Sequence, residues 1–275
     1  MNNFLNYYFS KLKNIFISPE LELRILLNVS SKENKNILLS NFKEEDIDKE
    51  VFVKYFNRRI NREPISKIIN KKNFWKHEFF VNNKVLDPRP ESELIIEEIL
   101  KIFPNKQLPL KILDICTGSG CLAISIVKEY PHSYLTATDI SISAINVAKI
   151  NADKLDCGNR IKFHHCDLID SYALYDIILT NPPYLSEIEY KKTEPEIKLF
   201  EPKIALVGGN EGLDFYFKIA KILHKSMNKN SRAFIEIGAL QARKTTEIFK
   251  TQGLECIKVA KDLSNLDRVL ILKST

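Results

Sequence analysis

The stretch Leu113-Asp114-Ile115-Cys116-Thr117-Gly118-Ser119-Gly120 decides the fold. Its apolar first half closes a strand expected over 111–115, and a helix-forming run over 120–129 follows the two glycines. Strand, glycine turn and helix form the opening unit of an open α/β sheet, in which ligands lie at the carboxyl ends of strands. Glycine lets the chain turn sharply and lets a ligand approach the backbone. A lone Gly-x-Gly is common in tight turns, so the sequence around it carries the argument.

Outward from this turn, strand-like and helix-like runs alternate. Strands are expected at 111–115, 134–139, 160–165, 175–180, 231–237, 255–260 and 268–272, and helices at 91–103, 120–129, 141–154, 213–227 and 240–252. The alternation predicts the α/β class with a doubly wound, mostly parallel, seven-stranded Rossmann-like sheet. Only a short connection joins the last two strands, which predicts an antiparallel hairpin at one edge.

The glycine loop lacks the third glycine of a dinucleotide fingerprint and the Gly-Lys-Ser/Thr of a phosphate loop, so its ligand need carry no pyrophosphate. Asp139 lies 19 residues beyond Gly120, at the end of the next expected strand. A carboxylate there can accept from both ribose hydroxyls of a nucleoside. The plain alternative is a helix cap, a role Ser141 can already fill. A nucleoside with a charged, phosphate-free tail, S-adenosylmethionine, fits these residues. Cys116, Thr117, Gly118, Ser119 and Gly120 are the expected cradle, with Asp139 on the ribose. Asp167 is placed to accept from the adenine amino group and Leu168 to pack on the ring, the alternative for Asp167 being a solvated loop acid. No metal is expected. His164-His165-Cys166 is the nearest approach to a ligand set, and three consecutive strand residues cannot face one point.

The fourth expected strand ends in Ile177-Ile178-Leu179-Thr180, and Asn181-Pro182-Pro183-Tyr184 follows. Two prolines make a rigid exit from a strand, but rigidity does not account for a polar Asn and an aromatic Tyr beside a cofactor loop. An sp² nitrogen attacks poorly because its lone pair is delocalised. The Asn181 side-chain oxygen and the Pro182 carbonyl can each accept one of its N–H groups, holding it in line with a methyl sulfonium and favouring the charge that develops. Pro183 stiffens the segment, Tyr184 can stack on a flat acceptor, and Asn181 borders the cofactor as well. The tetrapeptide by itself leaves protein amides, adenine and guanine all open as acceptors.

Ahead of this region, 1–72 reads as a small helical domain: Leu21, Ile25 and Leu26, then Ile47, Val51 and Tyr55, recur at helical spacing, and Ser40-Asn41 with Glu44-Glu45-Asp46 suits a helix start. Residues 73–90 are expected to form a hairpin around Asn82-Asn83, then the stiff linker Asp87-Pro88-Arg89-Pro90, and 91–275 the catalytic domain. Of a net charge of +6, the first 72 residues hold +5, from 14 Lys/Arg against 9 Asp/Glu. Such a surface can approach RNA or simply be solvated. No aromatic platforms interleave its arginines, as single-stranded nucleic-acid binding would need, and no DNA or membrane partner is expected. With no apolar run of 18 residues and no signal-peptide pattern, a cytoplasmic protein is expected. Five cysteines without a Cys-x-x-Cys pair point to reduced thiols.

The chain resembles the release factor glutamine methyltransferases. The likeness covers most of its length and runs through Pro64-Ile65, Phe74-Trp75, Val85-Leu86-Asp87-Pro88-Arg89-Pro90-Glu91-Ser92-Glu93, the glycine loop, Asp139-Ile140-Ser141, Asn181-Pro182-Pro183-Tyr184, Glu201-Pro202, Gly212-Leu213, Glu236-Ile237-Gly238 with Gln241, and Asp267-Arg268-Val269. The Pro-Arg-Pro-Glu-x-Glu linker discriminates best, because nucleic-acid amino-methyltransferases share the Asn-Pro-Pro-Tyr but not this linker. The resemblance implies a helical N-terminal domain that grips the release factor and methyl transfer to the glutamine amide of a Gly-Gly-Gln motif, in support of translation termination. Four positions depart from the family pattern. Cys116 and Asn70 stand where glycine is usual, Lys67 where an aromatic or His is common, and Asp87 where an aliphatic or Thr is common. The Cys116 change is conservative if its φ is negative.

Overall fold

The computed structural model describes residues 2–33, 36–169 and 171–275. The chain divides into two compact units, Met1–Asn70 with Pro195–Phe200, and Lys71–Glu194 with Glu201–Thr275.

In the first unit, helices α1 (Asn3–Lys13), α2 (Pro19–Val29), α3 (Lys49–Ile60) and α4 (Ile65–Ile69) bury Leu5, Leu12, Leu23, Leu26, Leu27, Phe52 and Phe56. Each such side chain taken from water is worth about 1.5–3 kcal/mol. The helix start expected at residues 40–46 lies further on. Glu44–Asp46 is a single 3₁₀ turn, and α3 begins after Asp48, whose Oδ1 accepts from Val51 N at 3.1 Å. The cap decides the start because it satisfies an otherwise unpaired donor. Arg59 is buried, stacks on Phe16 at 3.8 Å and donates twice to Glu22 at 2.7 Å.

The second unit opens with the hairpin β1 (Lys71–Phe74) and β2 (His77–Phe80). Its turn is Trp75-Lys76, not the expected Asn82-Asn83. Trp75 has φ +53°, costly for a bulky residue. Two hydrogen bonds offset that cost: its N–H donates to Glu93 at 2.7 Å and its ring N–H to Glu129 at 2.8 Å. After α5 (Glu93–Ile102) come β3 (Lys111–Ile115), α6 (Cys121–Glu129), β4 (Tyr134–Asp139), α7 (Ile142–Lys154), β5 (Ile161–His165) and β6 (Ile177–Thr180). A short helix, α8 (Glu187–Lys192), follows, and then α9 (Pro195–Phe200), which belongs to the first unit. The chain ends with α10 (Asp214–Ser226), β7 (Arg232–Glu236), α11 (Ala242–Lys250), β8 (Leu254–Lys261) and β9 (Asp267–Ser274).

The seven-stranded sheet has the order β5-β4-β3-β6-β7-β9-β8, parallel except for β9. The expected terminal hairpin is present, with β8 at the edge. Central strands are buried on both faces, which explains their nearly unbroken apolar runs. Ile177 and Leu179 belong to one core, and Ile178 between them to the other. The order reverses at β3, so a crevice opens at the carboxyl ends of β3, β4 and β6. Among the described residues no helix is long and apolar enough to cross a membrane.

Candidate active site

The glycine loop leaves β3 through three residues with positive φ: Cys116 (+61°), Gly118 (+57°) and Gly120 (+79°). Cys116 therefore fails the condition that would make it conservative. A non-glycine residue held there costs on the order of 1 kcal/mol. Asn70, at φ +55°, also occupies a left-handed position, which Asn tolerates better than most. A Cβ on Gly120 would lie 3.1 Å from Ala148 Cβ and from Ile124 Cδ1, so this glycine serves the packing of α6 on α7. Around Gly118 nothing lies within 4 Å of where a Cβ would be, leaving its backbone open to a ligand.

Buried polar contacts hold the loop. Thr117 Oγ1 donates to Asp114 Oδ2 at 2.6 Å, and Thr117 N to Thr138 O at 2.9 Å. Asn151 Nδ2 donates to Ser119 O and to Phe80 O, both at 2.9 Å, while Asn151 Oδ1 accepts from Phe80 N, so one amide ties hairpin, α7 and loop together. Asp114 Oδ1 is buried with no hydrogen-bond partner among the described residues. Burial, with Asp139 adding repulsion, pushes the Asp114 carboxyl up to about 7. The folded state therefore binds a proton that the unfolded state releases near pH 4, and stability falls as pH rises between about 4 and 7. Asp114→Asn keeps an acceptor for Thr117 and should raise Tm at pH 8 much more than at pH 4, a difference worth a few kcal/mol on this linkage. Thermal melts across that range check it, and an unchanged slope would remove Asp114 as the cause.

Asp139 ends β4. Its Oδ2 accepts from Gly118 N at 2.9 Å and its Oδ1 from Ser141 N at 2.8 Å. Ser141 Oγ caps α7 by accepting from Ala144 N, so Asp139 is not needed as the cap. Burial raises the Asp139 carboxyl pKa, opposed by the two backbone N–H bonds. Each oxygen keeps lone pairs for further donors.

These groups border one cavity at the carboxyl ends of the central strands. Of the residues singled out in the sequence, Cys116, Thr117, Gly118, Ser119, Asp139, Asn181 and Pro183 line it. Gly120, Asp167, Leu168, Pro182 and Tyr184 are not in its wall. Asp167 is more than half exposed, with Lys218 Nζ 3.6 Å away. Leu168 is buried in the core with φ +62° and accepts from Thr138 Oγ1 through its carbonyl. Ile140, Asp87, Arg89 and Ser92 line the cavity too. Glu201 anchors this linker: it accepts from Asp87 N at 3.2 Å and from Arg89 at 3.4 Å.

The Asn181–Tyr184 segment is gripped from behind. Thr180 Oγ1 donates to Ile115 O at 2.7 Å, tying β6 to β3. Gln241 Nε2 donates to Tyr184 O at 2.9 Å. A Cβ on Gly208 would lie 2.3 Å from Pro183 O, and one on Gly212 would lie 2.1 Å from Tyr184 O. Both glycines are there because the tetrapeptide backbone passes over them. Tyr184 packs on the second core, its hydroxyl 3.4 Å from Glu236 Oε1. Burial raises its phenol pKa, and the nearby Glu236 adds to this. Asn181 Nδ2 donates to Ser92 Oγ at 3.0 Å, and Ser92 Oγ donates to Glu236 Oε2 at 2.5 Å. Burial pushes the Glu236 carboxyl up to about 7, against the Ser92 hydrogen bond and the charge of Arg268.

The methyltransferase small domain family matches residues 84–197. A release factor glutamine methyltransferase of Clostridium acetobutylicum is 35% identical over 255 residues, covering 90% of this chain and 89% of that protein. One of Caulobacter vibrioides is 32% identical over 257 residues, covering 92% and 89%. This chain belongs to the release factor glutamine methyltransferase family. A bifunctional methyltransferase of Rickettsia bellii is 35% identical over 300 residues, and this chain spans 54% of its length. Among solved structures, the hMettl16 catalytic domain in complex with an RNA hairpin superposes with a TM-score of 0.54 at 17% identity, over 71% of this chain and 74% of that one. At that identity the likeness is one of fold.

Enzymes of this family use S-adenosylmethionine, and the cavity fits it. An open glycine backbone, a carboxylate with free lone pairs and the half-exposed apolar Ile140 border one space. Among the described residues no group of His, Cys, Asp or Glu is placed to hold a metal ion. Among the described residues no disulfide joins any of the five cysteines.

Proposed function

We propose that this protein transfers a methyl group from S-adenosylmethionine to the side-chain nitrogen of the glutamine in the Gly-Gly-Gln motif of peptide release factors, in the cytoplasm, in support of translation termination. The observation that carries this reading is the orientation of Asn181. Its Nδ2 is spent on Ser92, which leaves Oδ1 as an acceptor at a cavity bordered by the cofactor loop.

The cofactor, when bound, supplies an electrophilic methyl on a sulfonium. In this reading Asp139 accepts from the ribose hydroxyls, Ile140 gives the base an apolar surface, and the backbone at Gly118 admits the charged tail. An adenine contact from Asp167 would require it to give up Lys218, its partner in this structure. Asn181 Oδ1 and the Pro182 carbonyl each accept one N–H of the glutamine amide, which orients the nitrogen lone pair and favours the positive charge that grows on it. The acceptor nitrogen would gain the methyl as its bond to the sulfonium breaks, and one N–H proton would leave to water afterwards, so no general base is needed. Residues 1–72 serve as the release-factor recognition domain, 73–90 as hairpin and linker, and 91–275 as the catalytic domain. The family relationship supports this division, together with the +5 charge of the first part.

The test offers the purified chain a methyl-labelled cofactor with a release factor, the same factor with its motif glutamine replaced by alanine, and total RNA. Label is expected in the intact release factor alone. Label confined to RNA, or retained in the alanine variant, would overturn the acceptor assignment.

A further inference from the structure

We propose that Ser92 and Glu236 are positioning residues that set which way round the Asn181 amide sits, and so which of its atoms meets the acceptor nitrogen. This rests on the reading that Asn181 accepts a hydrogen bond from the acceptor.

The argument is one of hydrogen-bond polarity. The two ends of an Asn amide have nearly the same shape and opposite character, so an isolated Asn181 would fit the cavity either way. With Nδ2 towards the acceptor, it would oppose N–H with N–H and fail to orient the nitrogen. Ser92 removes the ambiguity. Its hydroxyl has one proton, and that proton is given to Glu236 Oε2 at 2.5 Å. An ionised carboxylate can only accept, so the direction of this bond is forced. Ser92 Oγ then meets Asn181 with lone pairs alone, and at 3.0 Å it takes a hydrogen from Nδ2. Asn181 Oδ1 is thereby left for the substrate.

The parts of this relay are widely separated in sequence. Asn181 follows β6, Ser92 lies at the start of α5, and Glu236 ends β7. Ser92 is 2% exposed and Glu236 1% exposed. Water therefore does not compete for their bonds, and a buried network whose groups are all paired fixes one arrangement. The Tyr184 hydroxyl also donates to Glu236, at 3.4 Å. A carboxylate buried at a cost is explained if its fixed polarity is what the site needs.

The relay also has a pH sense. Protonated Glu236 can donate to Ser92 Oγ, which frees the Ser92 proton to face Asn181 and favours the flipped amide. The charged and titratable groups acting on Glu236 are Arg268 from β9, Tyr184 from the tetrapeptide and Glu91 beside the linker. Tyr216 of α10 and Cys121 of α6 also interact with it. Since its carboxyl titrates near 7, kcat at saturating cofactor should fall as pH drops through that region.

A double-mutant cycle tests the proposal, read on whichever acceptor the wild-type enzyme methylates. Ser92→Ala should lower kcat about tenfold in the wild type, a change in proportion to one lost positioning hydrogen bond. It should have little effect in an Asn181→Ala background, and Ser92→Thr should restore most of the rate. Additive losses in the cycle, or no rescue by threonine, would overturn the proposal. A second readout needs no turnover. The Asn181 side-chain ¹⁵N–¹H₂ pair should shift as pH crosses about 7 in wild type and stay still in Ser92→Ala, whereas equal behaviour in the two proteins overturns the relay. If RNA is the labelled acceptor while the cycle still couples, the substrate assignment fails and the relay stands.

Discussion

Asn181→Ala lowers kcat for methyl transfer by about 10²–10³-fold, while cofactor affinity changes only a few-fold. The magnitude is that of losing one preorganised hydrogen-bond partner of a transition state. Alanine removes the oxygen proposed to orient the acceptor nitrogen and leaves the Pro182 carbonyl proposed to share that role, so residual activity should persist. On the proposed reading, cofactor affinity comes mainly from the loop backbone and from Asp139, whose hydrogen bonds to Gly118 N and Ser141 N do not involve Asn181. Ser92 Oγ loses one donor and keeps its bond to Glu236, so the fold should be little affected. Rapid-quench single turnovers separate the chemical step from binding, and titration calorimetry gives the affinity. A kcat within threefold of wild type would remove Asn181 from the chemistry, and a hundredfold loss of affinity would make it a cofactor ligand first.

Gly212→Ala is expected to be the most damaging single methyl group added near the site. Its Cβ would sit 2.1 Å from Tyr184 O and 2.9 Å from Gln241 Nε2. Real atoms do not approach so closely, and one of the obstructing atoms is backbone. The loop must move or Tyr184 must, and either breaks the 2.9 Å bond from Gln241 to Tyr184 O. The left-handed φ of +73° adds on the order of 1 kcal/mol for any residue with a Cβ. Together these come to about 3 kcal/mol, or a fall in Tm of roughly 6–12 °C for a catalytic domain of this size. Because the displaced backbone carries Asn181 to Tyr184, methyl transfer should fall too. Gly118→Ala is the control. It has a positive φ but nothing within 4 Å of its Cβ, so its cost in stability should be about 1 kcal/mol, and its main effect should fall on cofactor binding. Melting both variants side by side decides the matter. Equal Tm values would mean that the contact with Tyr184 O is easily relieved.

The α/β architecture was legible because buried parallel strands leave a local mark. Runs such as Ile177-Ile178-Leu179 are apolar on both faces, and amphipathic helices separate them. The ends of the elements were less so. Strand β6 starts at Ile177, two residues after the apolar run begins at Tyr175. The two short helices after the tetrapeptide were not anticipated, although α8 carries a local signal: Ser186 and Glu189 form a reciprocal capping box, the Ser-x-x-Glu pattern that marks a helix start. The hairpin turn was misplaced because Asn-Asn is a good turn by local preference, whereas Trp75 turns under the pull of Glu93 and Glu129.

Much of the site was readable. The glycine loop, Asp139 and the Asn-Pro-Pro-Tyr motif are contiguous residues whose chemistry depends on their own types, and the chain brings loop, Asp139, Asn181 and Pro183 to one cavity. Tyr184 is the instructive exception. An aromatic beside a ligand loop suggests stacking, yet its ring packs into the core and its hydroxyl turns to Glu236. Cys116 is another, since the sign of φ cannot be read from residue type.

By itself, then, the sequence determined the fold class and singled out the glycine loop and the Asn181–Tyr184 segment as the candidate site, because periodicity and motif chemistry are local properties. The tertiary structure alone decided the direction of the Asn181 amide. That depends on the buried Ser92 and Glu236, 89 and 55 positions away, meeting it where an ionised Glu236 takes the one hydroxyl proton of Ser92.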